Sequence, residues 1–118
     1  MAEIQLGVVE KQFADMIWDM EPVSTSDLVK AAKERFGWAR TTTYTVIHRL
    51  CNKELFVNEG GTVTSLISRD NFYTLQSRQF VNSAFDGSLP KFLAAFAGEN
   101  KLTKQEADEL RKMINEAE

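Results

Sequence analysis

The sequence is poor in the residues from which disulfides and metal sites are built. It has a single cysteine, Cys51, and a single histidine, His48, among 118 residues. One cysteine leaves no disulfide framework, and one histidine beside it does not complete a tetrahedral metal site. We expect no cofactor and no bound metal. Cys51 is most simply a semi-buried apolar residue, with a redox switch as the alternative.

Long apolar runs and catalytic motifs are also missing. No stretch approaches the ~18 apolar residues of a membrane-spanning helix, and the first residues, MAEIQLGVVEKQ, lack the pattern of a secretion signal. Gly60-Gly61 is not followed by the lysine and hydroxyl residue of a phosphate-binding loop. A catalytic triad would have to use His48, which has no acid near it in sequence. These absences predict a cytoplasmic protein that does not bind membranes and is not an enzyme.

Basic residues are outnumbered by acids, yet they cluster. The formal net charge of the chain is −3, which argues against binding polyanions over the whole surface. Residues 30–53 nevertheless contain six lysines and arginines against one acid, Glu34, a local charge of +5. Since a nucleic-acid-binding protein needs a basic patch more than a basic total, this asymmetry is the first indication of function.

Apolar periodicity and helix-end signals predict a helix-turn-helix in the first half of the chain. Residues 8–20 have the apolar spacing of a first helix. Ser24, with an acid three residues later, fits the N-cap of a second helix. This helix runs to about Phe36, and Gly37 has the place of a left-handed residue at its end. A third helix, 40–53, follows a short turn, as is typical of a helix-turn-helix.

A β-hairpin is predicted directly after the third helix. Residues 55–57 and 63–67 are short β-prone runs on either side of a glycine pair. Three helices followed by a hairpin form a winged helix, with Gly60, Gly61 and Thr62 at the tip of the wing. We therefore predict a mostly α fold with a small β-hairpin wing, and a DNA-binding domain over residues 1–69.

The third helix has two contrasting faces on a helical wheel. One face is apolar apart from Thr43 and should be core; it comprises Thr43, Val46, Ile47 and Leu50. The opposite face is polar and consists of Thr41, Thr42, Thr45, His48, Arg49 and Asn52. β-branched threonines are poor helix formers for a face that needs only to be solvated. In a major groove, threonine can contact base edges and arginine can bridge O6 and N7 of guanine. We therefore predict a DNA-contacting set of Arg40, Thr41, Thr42, Thr45, His48, Arg49 and Lys53, with Lys53 near the helix end as a phosphate contact.

From residue 70 onward the pattern is purely helical. Residues 71–118 hold five of the eight phenylalanines of the chain, and so short a helical segment rarely buries itself. Two-fold dimers are the commonest homo-oligomers, and operator half-sites need two DNA-binding domains. We therefore predict a helical dimerisation domain over residues 70–118. The expected interface residues are Phe72, Leu75, Phe80, Phe92, Phe96, Leu110, Met113 and Ile114.

The third helix resembles the recognition helix of the penicillinase-repressor family, which includes the methicillin-resistance and copper-transport repressors. The resemblance is carried by Trp38, Thr42, Thr45, Arg49-Leu50 and Lys53 in their spacing. Further matches span nearly the whole chain: Glu10 and Trp18, Pro22-Val23-Ser24 with Asp27-Leu28, Leu66-Ile67-Ser68-Arg69, Gly87-Ser88-Leu89, Phe96, Leu102-Thr103 and Glu109-Leu110-Arg111. The resemblance implies a homodimeric repressor of double-stranded operator DNA with an inverted repeat, released by cleavage or by a metal.

The sequence departs from the family pattern at several places. Glu54 replaces the glycine that usually ends the recognition helix, and the wing lacks lysine and arginine, so its phosphate contacts should be weak. The C-terminus lacks the cysteine cluster of the copper repressors. In antibiotic-responsive members a sensor-protease system leads to cutting at an Asn-Phe bond, and the matching bond here is Ala95-Phe96. We expect a helix packed in the dimer core there, and release by another signal or by a protease of different specificity.

A winged helix that binds protein instead of DNA is the alternative. The acidic pI of about 5.2 and the uncharged wing tip favour that hypothesis. The dependence of DNA binding on salt separates the two, since phosphate-driven binding weakens steeply as salt rises.

Overall fold

The computed structural model describes residues 5–99 and 101–117. These residues form six helices and three short strands in the order α1 Val8–Met20, β1 Val23–Ser24, α2 Thr25–Phe36, α3 Arg40–Asn52, β2 Phe56–Glu59, β3 Thr62–Ser65, α4 Arg69–Phe85, α5 Leu89–Ala97 and α6 Lys104–Ala117. The predicted fold class, a winged helix followed by a helical C-terminal region, is confirmed.

The helix-end signals of the sequence form the expected contacts. The Ser24 hydroxyl accepts a hydrogen bond from the backbone N–H of Asp27 at 3.0 Å and so caps α2. Gly37 ends this helix in the left-handed region, with φ +70°. Thr103 and Glu106 form a reciprocal capping box at the start of α6, each side chain accepting from the other backbone N–H at 3.1 and 3.0 Å.

The wing is the hairpin of β2 and β3. Gly60 and Gly61 both have positive φ, 61° and 90°, as a two-residue type I′ turn requires. The two-residue strand β1, which the sequence pattern did not predict, pairs antiparallel with β3 and gives the sheet order β1-β3-β2. The β-prone run after the turn was expected to reach Ile67, but β3 ends at Ser65.

The described residues divide into two compact units, up to Ser77 and from Arg78 onward. The first unit has a dense core in which the largest fully buried side chains are Phe13, Ile17, Leu28, Leu50, Leu55, Phe56, Val63 and Phe72. Trp18 contacts Phe56 and Phe72, with ring centroids 5.1 and 5.3 Å apart. This core fixes α3 and the wing on one scaffold.

The described residues of the second unit form no such core within the single chain. Between residues 78 and 117, none of the described residues is fully buried. Phe80, Phe85 and Phe92 form edge-to-face contacts at 5.5–6.0 Å, yet Phe80 and Phe96 keep 54% and 60% of their surface exposed. Within residues 5–99 and 101–117, every helix is too short or too polar to span a lipid bilayer.

Candidate nucleic-acid interface

The two faces of α3 are divided as its sequence pattern predicts. Thr43, Val46, Ile47 and Leu50 are buried, each with 6% exposure or less. The opposite side is exposed along its whole length, at Thr41, Thr42, Thr45, His48, Arg49 and Asn52. Because the apolar side is held in the core, α3 presents this polar face in a fixed orientation.

The threonine hydroxyls of α3 do not all have the same chemistry. Those of Thr43 and Thr45 donate to backbone carbonyls one turn earlier, to Ala39 at 3.3 Å and to Thr41 at 2.9 Å, as helical threonines often do. The exposed Thr45 side chain therefore keeps only the acceptor capacity of its hydroxyl. The hydroxyls of Thr41 and Thr42 form no hydrogen bond with any described residue, and they remain both donors and acceptors.

The two arginines of α3 differ in how they are held. The Arg40 guanidinium lies 5.4 Å from the ring centroid of Tyr44, whose hydroxyl donates to the Thr25 hydroxyl at 3.3 Å. This contact restrains Arg40 at the N-terminal end of the helix. Arg49, one turn from the C-terminal end, forms no ion pair or hydrogen bond within the described residues, and its donors are free for a ligand. His48 has no such contact there either.

Lys53 does not extend freely into solvent. Its ammonium group contacts a Glu10 carboxylate oxygen at 3.0 Å and donates to the Gln5 carbonyl at 2.7 Å. A phosphate would have to compete with both oxygens for this group. The sequence spacing of the helix could not reveal this, since the partners lie more than forty positions away.

The C-terminal end of α3 is formed by a left-handed residue even though glycine is missing. Glu54 has φ +62°, and the Leu55 N–H donates to the Leu50 carbonyl at 3.2 Å. This is the geometry that glycine usually provides at a helix end. Glu54 therefore replaces the usual glycine, but the left-handed turn at the end of α3 is retained.

The wing tip is fastened to the rest of the first unit. The Thr25 N–H donates to the Gly61 carbonyl at 2.9 Å, and the Gly61 N–H donates to the Asn58 side chain at 3.0 Å. Gly60 and Thr62 are exposed beside it. The neighbouring charged side chain is Glu59, an acid, so the wing offers a phosphate backbone only neutral donors.

Phe72, predicted as an interface residue, lies in the core of its own chain. It is 2% exposed and packs on Trp18. Beside it, Arg69 joins α4 to α1 through Asp19, at 2.7 Å, and through Asp15, at 3.3 Å. The sequence pattern does not predict this cluster, because its members are about fifty positions apart.

The other predicted interface residues are more accessible. Phe80, Phe96, Met113 and Ile114 are exposed, and Leu75, Phe92 and Leu110 are half-buried. A groove of about 250 Å³ in the second unit is lined mainly by apolar side chains, among them Phe92, Phe96, Leu110 and Met113. The Ala95-Phe96 bond lies inside α5, and both of its residues are exposed in the single chain.

The described part of α3 and its surroundings contains neither a cluster of metal ligands nor a thiol with a lowered pKa. No three His, Cys, Asp or Glu side chains converge within residues 5–99 and 101–117. Cys51 is half-buried beside the hairpin, and this burial raises the pKa of its thiol. A raised pKa lowers the thiolate fraction at neutral pH.

Comparison with known proteins agrees with this architecture. The sequence profile described as penicillinase repressor matches residues 6–116. The penicillinase repressors of Bacillus licheniformis and Staphylococcus aureus are similar to this chain, at 24% identity over 116 residues and 23% over 118. These alignments cover 95% and 97% of this chain, and 91% and 94% of the relatives. The methicillin resistance regulatory protein MecI of Staphylococcus aureus is 23% identical over 115 residues, 94% of each chain. Since the family profile covers nearly the whole sequence, the chain belongs to the penicillinase repressor family.

Proposed function

We propose that the protein is a homodimeric transcriptional repressor that binds an inverted-repeat operator with α3 in the major groove. The observation that carries this proposal is the exposed face of α3, where the hydroxyls of Thr41 and Thr42 and the guanidinium of Arg49 have no hydrogen-bond partner among the described residues. Family membership supports it, because the similar proteins are named repressors and regulatory proteins. These names also support the hypothesis that this protein is a regulator and not an enzyme.

The proposed contacts follow from the position of each side chain. Thr41 and Thr42, with free hydroxyls near the N-terminal end, suit base edges that offer a donor or an acceptor. Thr45 suits an exocyclic amino group or a thymine methyl, because its proton is donated to the helix. Arg49 suits a bidentate contact to guanine, and Arg40 suits the groove edge or a phosphate at the start of the helix.

The second unit supports the dimer. Its exposed apolar side chains and its groove lined by Phe92, Phe96, Leu110 and Met113 are what a helical segment shows before it packs on a second copy. A two-fold dimer would place two α3 helices on successive half-sites of an inverted repeat. Phe72 takes no direct part in this interface, because its own chain already covers it.

A protein-binding winged helix remains the rival function, favoured by the acidic pI and by the wing without cations. DNA should first be selected from a random pool by the purified full chain. The affinity for the selected operator and for random DNA should then be measured against salt concentration. Binding that is specific and weakens as salt rises supports the repressor, whereas failure to select any sequence favours the rival.

Arg49→Ala tests the groove assignment directly. We expect it to cost about 1–3 kcal/mol of operator affinity, because a bidentate base contact is lost, and to change affinity for random DNA much less. Arg35→Ala is the matched control. Arg35 is exposed near the end of α2, so this substitution removes the same charge from a helix outside the proposed interface. Equal, small effects of both substitutions on the operator would refute the placement of α3 in the groove.

A further inference from the structure

The ion pair between Lys53 and Glu10 connects the end of α3 to the first turn of α1. The Lys53 ammonium contacts the Glu10 carboxylate at 3.0 Å, and the two side chains are only 32% and 22% exposed. The same ammonium donates to the Gln5 carbonyl at 2.7 Å. Since an ammonium group has three donors, most of its hydrogen-bonding capacity is used within the protein.

Glu10 also shares a surface groove with Arg49. The same groove is lined by Gly7, Val8, Val9, Trp38 and Val46. Arg49 precedes Lys53 by one helical turn, so the two cations are neighbours on the surface of α3. Of these two cations, the lysine holds Glu10, and the arginine has no ion pair within residues 5–99 and 101–117.

Arginine is the stronger partner for a carboxylate when geometry permits, because its planar fork donates two parallel hydrogen bonds. A Glu10 carboxylate released from Lys53 would therefore compete with DNA for Arg49. A carboxylate bound to the pair of Arg49 donors that would contact guanine excludes a bidentate contact between that pair and the base.

We propose that Lys53 is a positioning residue that holds Glu10 and thereby keeps Arg49 free to bind DNA. This inference rests on the proposed function. It gives Lys53 an internal role, in place of the phosphate contact predicted from its sequence position.

A double-mutant cycle on the full chain separates the two roles. Lys53→Met removes the ammonium but keeps an unbranched side chain as long as the lysine stem, and Glu10→Gln removes the competing charge. We expect Lys53→Met to weaken operator binding about tenfold. Lys53→Met combined with Glu10→Gln should recover to within about threefold of the unchanged protein, and Glu10→Gln alone should bind nearly normally. In an Arg49→Ala background, Lys53→Met should have no further effect.

A second measurement needs no DNA. In the free protein, hydrogen exchange of the Arg49 Nε–H, followed by NMR, should slow in Lys53→Met and return to its original rate when Glu10→Gln is added. Unchanged exchange in Lys53→Met would overturn the proposed competition even if DNA binding weakens. Salt-independent or absent DNA binding by the unchanged protein would instead refute the proposed function.

The phosphate-contact alternative has a distinct signature. It predicts that Lys53→Met weakens operator and random DNA alike, that the slope of log affinity against log salt falls by about one, and that Glu10→Gln does not rescue. Any of these results would overturn the positioning role, as would normal operator binding by Lys53→Met. Cooperative unfolding curves of all variants exclude a general loss of structure as the cause.

Discussion

Phe72 and Phe80 stand on the same helix, α4, and should respond in opposite ways to the same substitution. Phe72 is 2% exposed and contacts Trp18 in the core of the first unit, whereas Phe80 is 54% exposed in the second. We expect Phe72→Ala to lower the stability of the first unit and Phe80→Ala to lower dimer affinity. Each substitution is the control for the other.

The magnitude for Phe72 follows from its burial. Replacing a buried phenylalanine by alanine costs about 3–5 kcal/mol, because transfer free energy is lost and a cavity remains. Since whole domains are stable by only about 5–15 kcal/mol, Phe72→Ala will leave the unit close to unfolding. Phe72→Leu removes fewer atoms and should lower the stability less than Phe72→Ala. Phe80→Ala should change the unfolding free energy of the first unit by less than about 0.5 kcal/mol.

Denaturant unfolding followed by tryptophan fluorescence measures the first effect. The only tryptophans of the chain, Trp18 and Trp38, both belong to the first unit, so the signal reports that unit. Sedimentation equilibrium over a range of concentrations measures the second effect. A Phe72→Ala protein with unchanged unfolding and weakened self-association would refute the reasoning and make Phe72 an interface residue after all.

Two further predictions concern helix ends. Hydrogen bonds from the backbone and side chain of Thr103 lower the pKa of Glu106 below 4.5. The carboxylate therefore stabilises α6 fully above pH 4.5, and this stabilisation is lost as pH falls through the lowered pKa. An NMR pH titration of the helix would show this loss, and Glu106→Gln should abolish the pH dependence. Gly37→Ala should lower the free energy of unfolding by about 1 kcal/mol in denaturant unfolding, since φ is +70° there. Gly7→Ala is the control: φ is −68° at Gly7, and this substitution should cost a few tenths of a kcal/mol. Equal costs would contradict the role of the left-handed conformation.

Local features of this fold were predictable because their causes lie within a few residues. The Ser24 cap, the Gly37 end and the Thr103 and Glu106 box each depend on neighbours three or four positions away. The buried and exposed faces of α3 followed from helical spacing alone. These signals were sufficient to predict the winged helix and the polar face of α3.

What the sequence did not predict depends on contacts between distant positions. Phe72 belongs to an apolar run that resembles the other interface candidates, and only the position of Trp18 decides that it is core. Lys53 has the spacing of a phosphate contact, and only the start of α1 decides that it is paired. The strand β1 is two residues long, and its existence depends on pairing with Val63, which no local propensity signals.

The neutral, fastened wing has a consequence for how such a repressor would be distributed in a cell. Each phosphate contact adds to the affinity for every stretch of DNA, and a chromosome offers on the order of a million or more competing sites. A wing tip tied to Thr25 and flanked by Glu59 contributes little to that background affinity. A larger share of the molecules would therefore diffuse freely instead of being sequestered along the chromosome, and a small number of copies would suffice to keep the operator occupied.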